Sequence, residues 1–82
     1  MTHHYTFYPQ NTCSRQIDLD MEDGVVHNLR YTGGCNGNLK ALGILCEGMR
    51  AEEIVEKLSG VRCGNNTTSC GDQLARGLKT LL

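Results

Sequence analysis

The chain has 82 residues, of which 39% are hydrophobic and 21% charged, a composition typical of a folded globular protein. At this length we expect a single domain over residues 1–82, with a core small enough that a metal, a disulfide or a partner subunit commonly supplements it. The formal net charge of -1 argues against nucleic-acid binding, and the apolar stretches are too short to span a bilayer. The N-terminus lacks the pattern of a secretory signal, so a cytoplasmic protein is expected.

The first third of the sequence predicts three β-strands. Residues 2–8 are rich in Thr and aromatic residues, and residues 13–21 alternate between apolar and polar side chains. Glu22-Asp23-Gly24 predicts a hairpin turn, after which alternation resumes over residues 25–31. The apolar faces of the second and third strands are predicted to hold Ile17, Leu19 and Met21, and Val25, His27, Leu29 and Tyr31.

The rest of the sequence predicts three helices. Their apolar stripes consist of Leu39, Leu42, Cys46 and Met49, then Ala51, Ile54, Val55 and Leu58, then Leu74, Leu78 and Leu81 or Leu82. Ser69 is the expected N-cap of the third helix, with Asp72 three residues further on. Strands followed by helices predict the α+β class, with a small antiparallel sheet and the helices packed on one of its faces.

Five cysteines in 82 residues are the feature that bears most directly on function. Cys46 lies on an apolar helical stripe and is predicted to be part of the core, whereas four others lie outside helices or at helix starts: Cys13, Cys35, Cys63 and Cys70. A helix N-terminus favours a thiolate, and four converging thiolates suit zinc or an iron–sulfur cluster. Without a Cys-x-x-Cys pair, neither a zinc ribbon nor a thioredoxin-like site is indicated. Metal binding, thiol redox chemistry and purely structural cysteines therefore stay open.

A Gly- and Asn-rich loop offers a different kind of site. Backbone N–H groups of such a loop, leading into a helix, can cradle a phosphate. The candidate cofactor-binding residues for a nucleotide or flavin are Gly33, Gly34, Asn36, Gly37 and Asn38. The loop lacks the Walker lysine and the dinucleotide fingerprint, which makes this the weaker alternative.

The histidines and the acidic residues are expected to have structural roles. His3 and His4 lie near a terminus that is expected to fray, and His27 lies within a predicted strand. The acidic run around the predicted hairpin is interpreted as a solvated turn rather than a cation site. It consists of Asp18, Asp20, Glu22 and Asp23.

The segment Thr68-Ser69-Cys70-Gly71-Asp72 and its neighbours resemble the TSCPD-domain family. The likeness extends through Thr12-Cys13-Ser14, the loop from Gly33 to Asn38, Glu47-Gly48-Met49 and Cys63-Gly64, and so covers nearly the whole chain. One departure is that Gly71 stands where the family pattern has proline.

The resemblance implies a small relative of a module found at the C-terminal end of adenosylcobalamin-dependent ribonucleotide reductases, enzymes of DNA synthesis. It implies that Cys13, Cys35, Cys63 and Cys70 are metal ligands, and that a separate reductase catalytic subunit is a candidate partner. A chain of 82 residues is too short to hold a radical site, a nucleotide site and a cobalamin pocket, so it is not expected to catalyse the reaction alone. A second copy of the chain, forming a homodimer, is a further candidate partner.

Overall fold

The structure is a computed structural model that describes residues 2–34 and 36–82. Three strands precede three helices, which confirms the predicted α+β class. The elements are β1 (His3–Phe7), β2 (Ser14–Glu22), β3 (Val25–Gly33), α1 (Asn36–Cys46), α2 (Ala51–Leu58) and α3 (Cys70–Lys79). In the described part of the chain, no helix is long and apolar enough to cross a membrane.

The sheet is built around the predicted hairpin. β2 pairs antiparallel with both neighbours, giving the strand order β1-β2-β3. Glu22 lies opposite Val25, so Asp23 and Gly24 form a two-residue loop with φ angles of 52° and 79°. Positive φ at both central residues characterises the type I′ turn, whose twist matches that of the flanking strands.

A β-bulge changes which residues of β3 face the core. Asp18 lies opposite Arg30 and Asp20 lies opposite His27, so two residues of β3 oppose the single residue between those aspartates. Asn28 occupies the bulge with a φ of 55°. The predicted alternation from Val25 through His27 was therefore wrong, and Val26 is the buried residue of that segment.

The helices pack their apolar stripes on one face of the sheet, as predicted. Leu39 and Cys46 of α1 are buried, whereas Met49 lies beyond the helix and packs against the core from the turn that follows. The core combines residues of β2, β3 and all three helices. Its buried members are Ile17, Leu19, Val26, Leu29, Cys46, Ala51, Ile54, Leu74 and Leu78.

The opposite face of the sheet carries a polar cluster centred on His4. The expectation that His4 frays was wrong, because β1 is paired with β2 and the imidazole lies between two carboxylates. Nδ1 is 2.8 Å from Asp20 Oδ1, and Nε2 is 3.3 Å from Asp18 Oδ1. Both aspartates lie within β2 rather than in the turn, and Asp18 also accepts a hydrogen bond from Thr6. These contacts, led by the hydrogen bond to Asp20, raise the pKa of His4.

We predict that His4→Gln destabilises the protein more at acidic than at alkaline pH. A raised pKa in the folded state means that the His4 contribution is complete below the unfolded pKa of about 6.5 and is lost as pH rises through the folded pKa. Urea unfolding at about pH 5.5 and about pH 9, on either side of the usual histidine range, measures the difference. His3→Gln serves as the control, and an equal effect of His4→Gln at both pH values would contradict the assignment.

Candidate functional site

Three of the four predicted ligand cysteines line one cavity of about 420 Å³. The cavity lies among the start of β2, the first turns of α1 and α3, and the connection between α2 and α3. The described residues that line it include no Asp, Glu, Lys or Arg. They are Thr12, Cys13, Asn38, Leu39, Leu42, Leu58, Val61, Cys63, Asn66, Ser69, Cys70 and Gly71.

Cys13 and Cys70 bring their thiol groups together in this cavity. Their sulfur atoms lie 3.9 Å apart, although the residues are separated by 57 positions in the sequence. Both thiols are free. Thiolates bound to one zinc ion at about 2.3 Å in tetrahedral geometry lie about 3.8 Å apart. The observed pair therefore already has the spacing of two ligands of one metal.

Cys70 is held by the backbone and side chains around the start of α3. The Ser69 hydroxyl caps the helix by accepting a hydrogen bond from the Asp72 backbone N–H, so Cys70 is the first helical residue. The Tyr31 hydroxyl donates to the Cys70 carbonyl oxygen, and Ser14 Oγ lies 3.1 Å from Cys70 Sγ. Burial, with a smaller effect of the nearby cysteines, raises the pKa of Tyr31 and keeps it protonated.

Cys63 lies in the connection between α2 and α3. Its backbone N–H donates to the Thr68 carbonyl oxygen, and its own carbonyl oxygen accepts from the Asn66 N–H. These bonds close a tight loop in which the exposed Cys63 lines the cavity. Among residues 2–34 and 36–82, no three His, Cys, Asp or Glu side chains are close enough to hold one metal ion.

Cys35 lies outside the described residues, but its neighbour Gly34 marks where the chain passes. Gly34 has a φ of +87°, and a Cβ at this position would lie 3.0 Å from Cys13 Sγ and 2.9 Å from Leu39 Cδ1. Only glycine therefore lets the backbone come this close to Cys13. Gly34 therefore lies directly against Cys13, which lines the cavity.

The family model for the TSCPD domain matches residues 2–82. This chain belongs to the TSCPD-domain family. The match covers essentially the whole chain and agrees with the resemblance of its sequence motifs. No curated protein and no solved structure matched the chain.

The segment that corresponds to the family's name forms the start of α3. Thr68 and Ser69 precede the helix, and Cys70 is its first residue. Gly71, which replaces the proline of the family pattern, lies in the first helical turn, where proline is tolerated because the backbone N–H has no helical partner. Glycine and proline are therefore both compatible with a helix that begins at Cys70.

Asp72 has a role that the sequence indicated only in part. Beyond its expected place beside the N-cap, its buried carboxylate accepts hydrogen bonds from the Thr68 hydroxyl, the Gly60 N–H and Arg76 Nε. These bonds, led by that of Thr68, lower the pKa of Asp72. Asp72 therefore fixes both ends of the connection that carries Cys63.

The remaining predicted residues lie in different regions of the fold. Cys46 is 3% exposed and belongs to the core, as predicted, and burial raises the pKa of its thiol. Asn36 is the first residue of α1, and Gly37 and Asn38 lie in its first turn. Asn38 lines the cysteine cavity, whereas Gly33 lines a separate groove between α1 and β3.

We predict that Gly34→Ala lowers the free energy of unfolding more than a glycine-to-alanine substitution at a position with open space around it. The alanine Cβ would meet Cys13, Leu39 and the Ser14 backbone, in addition to the cost of a positive φ. Gly48→Ala is the matched control, because Gly48 has a φ of +79° but open space around it. We expect Gly34→Ala to cost about 1–3 kcal/mol more than the control in urea unfolding, as overpacking does. Equal losses of stability would contradict the close contact.

We also predict that Asp72→Ala lowers the free energy of unfolding by roughly 2–3 kcal/mol, because hydrogen bonds to a buried charge are lost. Arg76→Ala should cost less than about 1 kcal/mol, since the Arg76 side chain is 64% exposed. Thermal or urea unfolding of both variants measures the difference. If Arg76→Ala were as damaging as Asp72→Ala, the carboxylate would not be holding the connection as described.

Proposed function

We propose that this TSCPD-domain protein is a metal-binding module in which Cys13, Cys35, Cys63 and Cys70 hold zinc or an iron–sulfur cluster. The observation that carries the proposal is the 3.9 Å spacing of the Cys13 and Cys70 sulfur atoms, close to the edge of a tetrahedron of thiolates. Cys63, the third proposed ligand, lines the same cavity from the connection between α2 and α3. Cys35, which follows Gly34 in the sequence, would be the fourth ligand.

The electrostatics of the cavity also suit a cation. Several thiolates in one place repel one another unless positive charge neutralises them. No Lys or Arg is among the described residues that line the cavity, so side chains do not supply that charge. The helix N-termini near Asn38 and Cys70 supply only partial positive charge. A bound metal would provide the rest.

A metal at this site would mainly stabilise the fold. Its four proposed ligands are the residue before β2, the residue before α1, a residue of the α2–α3 connection and the first residue of α3. Joining these segments reinforces a core too small to hold them strongly, as structural zinc sites do. Ser14 would contribute from outside the ligand set, because a hydroxyl 3.1 Å from Cys70 Sγ can hydrogen-bond to a ligand sulfur and orient it.

The proposed biological setting is accessory to ribonucleotide reduction. This part of the proposal rests on the family resemblance, in which the same module occurs at the end of reductase chains. The metal-stabilised domain would bind a separate catalytic subunit rather than carry out the reaction.

A second candidate is thiol–disulfide exchange with such a subunit. The exposed Cys13 and the half-buried Cys70 are near enough to act in turn. The Cys13 thiolate would attack a disulfide of the partner and displace one thiolate, and Cys70 would then attack Cys13 and displace the other. The products are a Cys13–Cys70 disulfide and a partner dithiol that takes up two protons, so two electrons pass to the partner.

The nucleotide or flavin alternative has less support. Its described residues do not share one cavity, since Gly33 and Asn38 line different ones. We therefore rank it below metal binding and thiol exchange.

Metal analysis of protein purified without oxygen tests the proposal. We predict about one zinc per chain, or iron with sulfur-to-iron absorption bands. Cys13→Ser, Cys35→Ser, Cys63→Ser and Cys70→Ser should each lose most of the metal, because each removes a ligand. Cys46→Ala should retain it, because Cys46 belongs to the core.

A folded, metal-free wild-type protein with titratable thiols would contradict the metal proposal. Reversible formation of a Cys13–Cys70 disulfide by that protein, with stimulation of a reductase by its reduced form, would support the second candidate. Metal retained after the loss of two of the four cysteines would also refute the assigned ligand set.

A further inference from the structure

Helix α1 is apolar on two sides although it packs against the protein on only one. Leu39 and Cys46 face inwards, but Ile44 and Leu45 are 68% and 70% exposed. Lys40 is the sole charged residue within the helix. Surface helices normally present polar residues to water, and an exposed apolar face with few charges is characteristic of an interface.

The charges that border this face are arranged in a self-complementary way. We define the outer face of α1 as Lys40, Ala41, Ile44, Leu45 and Glu47, of which Glu47 directly follows the helix. Lys40 lies four residues before Ile44 and Glu47 lies three residues after it. If two outer faces meet in antiparallel orientation about an axis near Ile44, each Lys40 approaches the Glu47 of the other copy.

Glu47 is suitably placed and charged for this contact. Its carboxylate accepts a hydrogen bond from the Asn28 backbone N–H and contacts His27, interactions that lower the pKa of Glu47. The side chain is still 49% exposed, so a lysine from outside the chain can reach it. These contacts also limit the motion of Glu47 and reduce the entropy lost when an ion pair forms.

The surface beside Ile44 supplies the concave part that an isologous interface needs. A groove of about 350 Å³ runs between α1 and β3, with Lys40, Ile44 and Glu47 on one side and Asn28 and Arg30 on the other. In a two-fold arrangement, the exposed Ile44 or Leu45 side chain of one copy meets the groove of the other copy.

We propose that the protein forms a homodimer through the outer face of α1, with the two helices antiparallel and Lys40 paired with Glu47 of the second copy. A second copy fits better than an unrelated partner because the same five residues provide both the apolar surface and the matching charges. An interface at the lower end of the usual size needs about 600 Å² per copy. That area is about 12% of the 5057 Å² surface of the chain. The proposal does not depend on metal binding.

Sedimentation analysis of the full chain across about 1 µM to about 1 mM tests the proposal, covering the range of weak dimers. We expect the wild-type mass to reach that of two chains and Ile44→Asp to weaken dimerisation by more than about 100-fold, since it places a charge in the interface. Tyr8→Asp is the matched control, because Tyr8 is also 68% exposed but lies outside the outer face. A wild-type chain that is monomeric throughout, or equal effects of the two variants, would overturn the proposal.

Charge reversal tests the orientation with substitutions at exposed positions. Lys40→Glu and Glu47→Lys should each weaken self-association by about tenfold, because each brings like charges together. Mixing the two variants should restore association, because in the antiparallel pair each chain supplies the charge that the other requires. Circular dichroism of each variant verifies folding. A mixture that associates no better than the separate variants would overturn the antiparallel arrangement.

Discussion

The contact between Cys13 and Cys70 depends on how the first turn of α3 is fixed against the start of β2. Ser69 begins the helix, Tyr31 hydrogen-bonds to the Cys70 carbonyl oxygen, and Ser14 lies against the Cys70 sulfur. Leu74 and Leu78 anchor the rest of α3 in the core. Because Cys70 belongs to α3 and Cys13 directly precedes β2, the fold itself brings the two sulfur atoms together, without a bond between them.

Different parts of this small protein have different physical roles. One face of the sheet and the inner faces of the helices provide the core, while the other sheet face carries the ion pairs of His4. The cysteine cavity lies at the end where α1 and α3 begin, and the outer face of α1 remains apolar and exposed. The proposed metal and the proposed second copy would each add stabilisation that the core of an 82-residue chain provides only weakly.

Much of the fold could be predicted because it follows from local patterns. Period-two alternation indicated β2, the Asp23-Gly24 turn indicated the hairpin, and the Ser69 cap indicated the start of α3. The bulge at Asn28 could not be predicted, because one inserted residue reverses the alternation and depends on pairing with β2. The meeting of Cys13 with Cys70 also required the tertiary structure, whereas their residue types alone suggested metal chemistry. The buried hydrogen bonds of Asp72 to Gly60 and Thr68 likewise carry no distinctive sequence signal.

In the proposed metal site, cysteines from separate segments of the chain bind one metal. X-ray absorption spectroscopy at the metal edge, on the full chain as purified without oxygen, tests this most directly because it counts the neighbouring atoms. For zinc, we predict a shell of about four sulfur atoms at about 2.3 Å, and for an iron–sulfur cluster a sulfur shell with a second shell of iron. A shell dominated by oxygen and nitrogen, or the absence of bound metal, would contradict it.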